Sequence, residues 1–326
     1  MLNTLNDVLN NVDNFIWGMP LIILILFTGI LLTVRLRGLQ IRHLGKALHY
    51  VFHNEDDGEG EGTSFGALCT ALSATIGTGN IVGCATAIVA GGPGALFWMW
   101  LAAFFGMATK YAEGMLAVKY RVIAEDGHTL GGPFYYIEKG MGKNFKWLAK
   151  LFCVFGTMVG LFGIGTFTQV NGITSAVNNF FDPSNVHTIS LFGMNYSISV
   201  VVAGIIVTIC AGLVIIGGIK RISKVSEVIV PFMAVTYIGV CLIIVFTHLP
   251  QVPAAFAEIV QSAFGLKAVA GGAIGAMTVA MQKGIARGIF SNEAGLGSAP
   301  IAAAAAQTNE PVRQGLVSMT GTFIDT

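Results

Sequence analysis

From Ile198 to Ile219 the chain runs "ISVVVAGIIVTICAGLVIIGGI" without a single charge or proline. About 20 apolar residues in helical geometry match the ~30 Å hydrocarbon layer of a bilayer. Inside lipid every backbone N–H and C=O needs an internal partner, so such a run folds as a helix. The same signal recurs at Trp17–Leu36, Phe65–Ala90, Ala95–Ala117, Trp147–Phe180 and Val225–Phe246, and in glycine-broken form at Phe264–Met281. Only 11% of the 326 residues are charged, against about 25% in a soluble domain. Mean hydropathy is +0.73. These values exclude a soluble surface and predict an all-α polytopic membrane protein.

Lysine and arginine placement predicts orientation. Arg35, Arg37, Arg42 and Lys46 follow the first span, and Lys119, Arg121, Lys139, Lys143 and Lys146 follow the third. Lys220, Arg221 and Lys224 follow the fifth, and Lys283 and Arg287 the seventh. The alternate connections are nearly free of both residue types, apart from Lys267. The N-terminus is therefore expected outside, with the second span running outward from the cytoplasm.

The ends and the cysteines add less. Residues 1–16 form an outside segment without signal-peptide grammar. The five cysteines are scattered through apolar segments without metal-ligand spacing, and serve packing. The acidic run "HNEDDGEGEG" is a solvated loop without EF-hand spacing. A net charge of +1 says nothing about nucleic acid, and no nucleic-acid partner is expected. No span carries a nucleophile–base or metal constellation, so an enzyme is not expected. A last apolar stretch starts at Gly315 and stops at Thr326, short of the ~20 residues of a span. The sequence is therefore expected to be part of a longer polypeptide.

Three spans contain glycine clusters: "SATIGTGNIVG" (Ser73–Gly83), "GLFGIGTFTQVNG" in the fourth and "AVAGGAIGAM" in the seventh. Glycines also serve close helix packing, with a period of four. Gly77, Thr78, Gly79 and Asn80 are consecutive, which suits unwinding better. A broken helix supplies two chemistries. Its N-terminal half-end offers N–H groups for a carboxylate. Its C-terminal half-end offers carbonyl oxygens for a desolvated cation. Together they can bind a zwitterion and a cation. The centres of spans two, four and seven are read as free of Asp, Glu, Lys, Arg and His.

"GTGNIVG", "GGPGALFWMW" (Gly91–Trp100), "GGPFYYIEKG" (Gly131–Gly140), "ARGIFSNEAGLGSAPIAAAAA" (Ala286–Ala306) and the final "GTFIDT" resemble blocks of the alanine or glycine:cation symporter family. The resemblance extends over essentially the whole chain. It implies a five-plus-five inverted-repeat fold of the sodium-symporter type. An extra N-terminal span (17–36) precedes a first repeat (65–246) and the start of a second (264–326), in one transporter domain. It implies a monomeric, multi-pass carrier of the cell membrane, importing alanine or glycine by alternating access. Na⁺ is the coupling ion, and there is no other cofactor.

Site residues follow from the same resemblance. The N–H groups of Thr78 and Gly79 meet the substrate carboxylate, and the carbonyls of Ser73 and Ile76 meet Na⁺. Gly165 and Gln169 face the substrate, and Phe167 walls the pocket. Gly271, Gly272 and Gly275 mark the break in span seven, and Phe264 caps the pocket from outside. Gly165, Gly271 and Ala273 would leave room for a methyl side chain and little more. Rivals are a proton-coupled carrier, a channel or a non-transporting membrane protein. Proton coupling needs a titratable group inside the bundle, and Glu113, Glu227 and Asp325 are all placed away from the breaks. In "SNEAGLGSAP" a helix start capped by Ser291 or Asn292 is weighed against an Arg287–Glu293 gate.

Overall fold

The computed structural model describes residues 2–53, 58, 60–163, 165–191, 193–266 and 272–326. Helix α1 (Leu2–Ile16) leads to α2 (Met19–Arg35), α3 (Leu39–Arg42) and α4 (Leu44–Phe52). The second predicted span appears as two helices, α5 (Ser64–Thr75) and α6 (Thr78–Gly91), bent by 43° at the Ile76–Gly77 step. The "GGPG" turn then opens the longest buried element, α7 (Gly94–Lys119). The fourth predicted span is also split, into α9 (Lys146–Leu161) and α10 (Thr166–Phe181), after the short α8 (Pro133–Gly140). Gly163 (φ 59°) and Gly165 (φ 87°) make that split, in a backbone region that disfavours side chains.

Helix α11 (Ile198–Ile215), and α12 (Gly218–Thr247) beyond its charged start at residues 220–227, are apolar on all sides, and most of their residues are exposed. This is the pattern of lipid-facing spans. The remaining helices are α13 (Val252–Ala263), α14 (Ala273–Asn292), α15 (Ala299–Ala303) and α16 (Pro311–Asp325). With these apolar helices the chain is a multi-pass membrane protein. It is not purely helical: β1 (Val122–Ile123) pairs β2 (Thr129–Leu130), and β3 (Thr188–Leu191) pairs β4 (Met194–Ser197), both antiparallel.

Helix α7 is the spine, and small residues let its neighbours approach. A Cβ on Gly315 of α16 would stand 2.8 Å from the Tyr111 carbonyl oxygen, and one on Gly288 of α14 would stand 3.2 Å from that of Met99. These approaches also fix direction. Gly288 lies against Met99, while Asn292 and Ala294 lie against Gly106, so α14 runs parallel to α7. Gly315 lies against Tyr111 and Thr322 against Gly106, so α16 runs antiparallel.

That geometry corrects the reading of span seven. Lys283 packs on Gly91, at the Gly94 end of α7, and Arg287 packs on Gly83. Neither follows the span into the lysine-rich end. Ser291 and Asn292 close α14 rather than start a helix, and Glu293 after them is left-handed (φ 53°). The chain then unwinds through Gly295 (φ 90°) and Gly297 (φ 81°) before α15. The break therefore lies at residues 293–298, not at Gly272 and Gly275. Gly272 and Ala273 merely begin α14. Gly271, Lys267 and residues 54–57 and 59 of the acidic loop lie outside the described residues.

At the end of α10, Asp182 organises the β3–β4 hairpin. Its carboxylate accepts the N–H groups of Val186 (2.9 Å) and His187 (3.0 Å) and the Ser197 hydroxyl (3.3 Å). The Val186 N–H, foremost, holds its pKa below the ordinary carboxylate value. A depressed folded value means the stabilisation is present above about pH 4 and fades as pH falls through that lower value. In wild type, amide exchange protection at Val186 and His187 is expected to fall below about pH 4. Asp182→Asn should lose that protection at neutral pH, and protection unchanged in the variant would refute the role.

Candidate functional site

Two breaks meet beside the middle of α7, where Asn80 Nδ2 of α6 donates to the Ser291 hydroxyl oxygen of α14 (3.1 Å). The α5–α6 pair and the α14–α15 pair run in opposite directions past this point. Between them lies a cavity of about 570 Å³, inside the size range of small-molecule sites. Its walls are Ala74, Thr75, Thr78, Gly79 and Val82 from the first break, α10 from Gly165 to Asn179, and Arg287, Phe290 and Glu293 from the second.

The first break is satisfied by side chains. The Gly77 N–H donates to Asn80 Oδ1 (2.8 Å). The Thr78 N–H and the Thr78 hydroxyl both donate to Gln169 Oε1, each at 2.9 Å. Two donors converging on one atom fix that atom as the amide oxygen. A Cβ on Gly77 would stand 2.6 Å from the Gln169 amide, so glycine is what admits it. Gln169 thus places a neutral oxygen at the N-terminal end of α6, where the helix dipole favours an anion.

The second break leans on charge. Gly297 N–H donates to Glu113 Oε1 (3.2 Å), and Ala294 N–H to Asn292 Oδ1 (3.0 Å). Glu293 accepts the Ser298 hydroxyl. Arg287 donates to the Thr86 hydroxyl oxygen (3.1 Å) and lies over the Phe290 ring. Among the described residues Arg287 and Glu293 form no direct ion pair. Both nevertheless face the cavity, so the site is not free of charged side chains, as the sequence suggested. Behind it, Lys110 and Glu113 are only 4% and 7% exposed. Ionisable groups buried this deeply in a membrane bundle are costly and mark functional positions.

The predicted residues divide clearly. Thr78, Gly79, Gly165 and Gln169 come together on the cavity wall. Phe167 does not: it is 74% exposed and covers Gly163. Phe264 packs on Phe97 (5.2 Å between centroids) and Trp98 (6.0 Å), away from the cavity. Gly272 and Ala273 are also off its wall, so of the small residues expected to limit side-chain size only Gly165 lines it among the described residues. The Ser73 side chain is exposed and its hydroxyl bonds the Thr70 carbonyl (2.7 Å), while Ile76 ends α5. The cavity meets the intervening Ala74 and Thr75 instead.

Two residues were misjudged, and Glu113 is the first: its carboxylate accepts the Gly297 N–H of the second break. Asp325 is not remote from the breaks: Asn80 Nδ2 donates to its carbonyl oxygen (2.9 Å) and to Oδ1 (3.1 Å). An acid in the apolar "GTFIDT" block was the available signal. Its location depends on a contact spanning 245 positions.

The sodium:alanine symporter family matches residues 2–326. The chain belongs to that family. It is 57% identical over 324 residues to a protein of Haemophilus influenzae described as an uncharacterized transporter, covering 99% of this chain and 67% of that protein. It is 48% identical over 324 residues to the sodium/alanine symporter AgcS of Methanococcus maripaludis, covering 98% and 67%. The amino-acid carrier protein AlsT of Bacillus subtilis is 38% identical over 323 residues, covering 98% and 64%. The chain thus spans about two thirds of the length of these relatives. The family is one of cation-coupled amino-acid transporters, not of enzymes.

Proposed function

We propose that this chain carries the substrate site of a sodium-coupled importer of alanine or glycine. The observation that supports this most is the Thr78–Gln169 contact, set in a cavity between two oppositely directed broken helices. In this reading the substrate carboxylate displaces Gln169 Oε1 from the Thr78 N–H and hydroxyl, and Gly79 N–H lies one step along the same helix end. Glu293, across the cavity, faces the substrate ammonium. A zwitterion is then matched at both ends, and a molecule lacking either charge leaves a polar group unpaired.

Opposed half-helices are what an inverted repeat produces, and we assign α5–α12 to the first repeat and α14–α16 to the start of the second. The extra span is α2, and the N-terminus lies outside. Carbonyl oxygens at the end of α5, Ser73 and Ile76 among them, are the proposed backbone ligands for Na⁺. Alternating access follows when one broken pair swings against the other around the cavity.

Reconstitution in liposomes tests the reading. Labelled alanine uptake is expected under an inward Na⁺ gradient, with leucine taken up at under about a tenth of the alanine rate. Uptake indifferent to Na⁺, or leucine transported as well as alanine, would count against it. A proton-coupled reading draws on Glu113, whose carboxylate holds the Gly297 N–H of the second break (3.2 Å). Uptake driven by an imposed proton gradient without Na⁺ would select that alternative.

A further inference from the structure

Two cations of α14 stand away from the lysine-rich end of the bundle. Lys283 packs on Gly91, at the Gly94 end of α7, and Arg287 lies one turn further along α14, against Gly83. The lysine-rich end of α7 is the opposite one, with Lys119 in its last turn and Arg121 just after it. Among the described residues neither Lys283 nor Arg287 forms an ion pair. Arg287 donates to the neutral Thr86 hydroxyl oxygen (3.1 Å) and lies over the Phe290 ring. Glycine at position 83 is what admits the guanidinium, since a Cβ there would collide with it. Cations left without a carboxylate in a membrane bundle mark a ligand site or path.

Both cations wall a second cavity, of about 310 Å³, at the lower end of the size range of small-molecule sites. Thr86 and Ala90 of α6, Phe290 of α14 and Trp17 before α2 complete its polar and aromatic lining. Helix periodicity places it relative to the first cavity. On α6, Gly79 and Val82 line the first cavity and Thr86 and Ala90 the second, in one stripe at three- and four-residue spacing. On α14 the matching stripe runs back from Phe290 through Arg287 to Lys283. Arg287 and Phe290 line both cavities, and Lys283 only the second. The two cavities therefore follow one another between α6 and α14, with the Arg287–Phe290 pair as the wall they share.

We propose that the second cavity is an antechamber, a weak docking site for the carboxylate of the amino acid on its way to Thr78. The proposal rests on the importer reading above and adds a second binding step to it. Lys283 and Arg287 take the carboxylate, whose two oxygens suit the planar guanidinium fork. The Trp17 ring, edge-on to Phe290 at 6.1 Å between centroids, gives the ammonium an aromatic neighbour. The present partner of Arg287 is a neutral hydroxyl, so an arriving carboxylate displaces it with a stronger, charge-assisted bond. The same guanidinium borders the inner cavity. The carboxylate can then pass from one cavity to the next without losing its cationic partner, and the pair of cations concentrates carboxylates at the entrance.

The test is equilibrium dialysis of labelled alanine against the purified protein in Na⁺ buffer, in nanodiscs of zwitterionic lipid with and without phosphatidylglycerol. Wild type should show two classes of site, one tight and one weak. In Lys283→Gln the weak class should lose about tenfold or more in affinity, because a charge-assisted bond is removed. The tight class should change by less than about twofold, since Lys283 does not line the inner cavity. Lys283→Arg should keep both classes, and Thr78→Pro should weaken the tight class alone. Lys283 is exposed, so its variants spare the fold. A single class in wild type, or a weak class indifferent to Lys283→Gln, overturns the antechamber and leaves the importer reading standing. A weak class abolished by phosphatidylglycerol overturns the amino acid as the occupant and assigns the cavity to a lipid phosphate. A wild type that binds no alanine in either class overturns the importer reading itself.

Discussion

Thr78→Pro is expected to weaken alanine binding by more than about tenfold while leaving the helix in place. Thr78 is the first residue of α6, after the extended Gly77. Proline is well tolerated at that position, because its ring presets φ and the missing N–H has no helical partner there. The substitution therefore deletes one N–H from the site without breaking the fold. It also deletes the hydroxyl, so both present donors to Gln169 Oε1 vanish. A hydrogen bond to a charged group contributes about 1.5–3 kcal/mol, which corresponds to about a ten- to 150-fold change in affinity. Thr78→Ala keeps the N–H and should lose less, and Thr78→Ser keeps both donors. Equilibrium binding of labelled alanine separates the three. Equal losses in Thr78→Ala and Thr78→Pro would mean that the backbone N–H contributes nothing.

The second large effect is predicted just past the C-terminal end of α7. The Arg121 guanidinium donates to the carbonyl oxygens of Ala304 (2.9 Å), Ala306 (2.7 Å) and Thr308 (2.8 Å). These carbonyls belong to the segment that leaves α15. The same segment is strapped to the chain before α5: Glu61 N–H donates to the Ala305 carbonyl (2.9 Å), and Gln307 N–H to that of Gly62 (2.6 Å). Glu61 in turn accepts the Thr129 N–H (2.6 Å) of the β1–β2 hairpin. Arg121→Ala should cost about 2–4 kcal/mol, since a half-buried carbonyl left unpaired costs about 1–3 kcal/mol and water can reach part of this surface. Lysine should rescue little, because an ammonium cannot reproduce the planar fork. The check is the temperature at which the monodisperse peak in detergent disappears, and an unchanged value would refute the clamp.

How much of this was readable beforehand depended on whether the signal was local. Helix α11 was evident because an uncharged run of membrane length has one outcome in lipid. The first break was evident because Gly77, Thr78 and Gly79 are consecutive and adjoin a capping Asn80. The second break carries the same glycine density at Gly295 and Gly297, yet Ser291, Asn292 and Glu293 beside them made the stretch look like a capped helix start. Hydropathy cannot tell a carboxylate facing an internal cavity from one facing solvent. The glycines near Gly272 attracted the assignment instead because their surroundings are apolar. Phe167 and Phe264 failed for a related reason: an apolar ring is equally at home against lipid, against another ring or on a pocket wall. Asp325 could not be placed at all without the antiparallel course of α16 along α7.

In the site we propose, the contact between Gln169 and Thr78 also makes the protein its own competitor. A tethered amide oxygen is always present at high effective concentration, so any incoming molecule must out-compete it for the same two donors. A neutral alcohol or amide offers an acceptor no better than the one displaced and gains little by entering. A carboxylate forms stronger, charge-assisted bonds and wins the exchange. The internal ligand thus sets a threshold on the ligand's charge before any wall of the cavity tests its size. It also leaves the backbone donors of Gly77 and Thr78 paired while the cavity is empty.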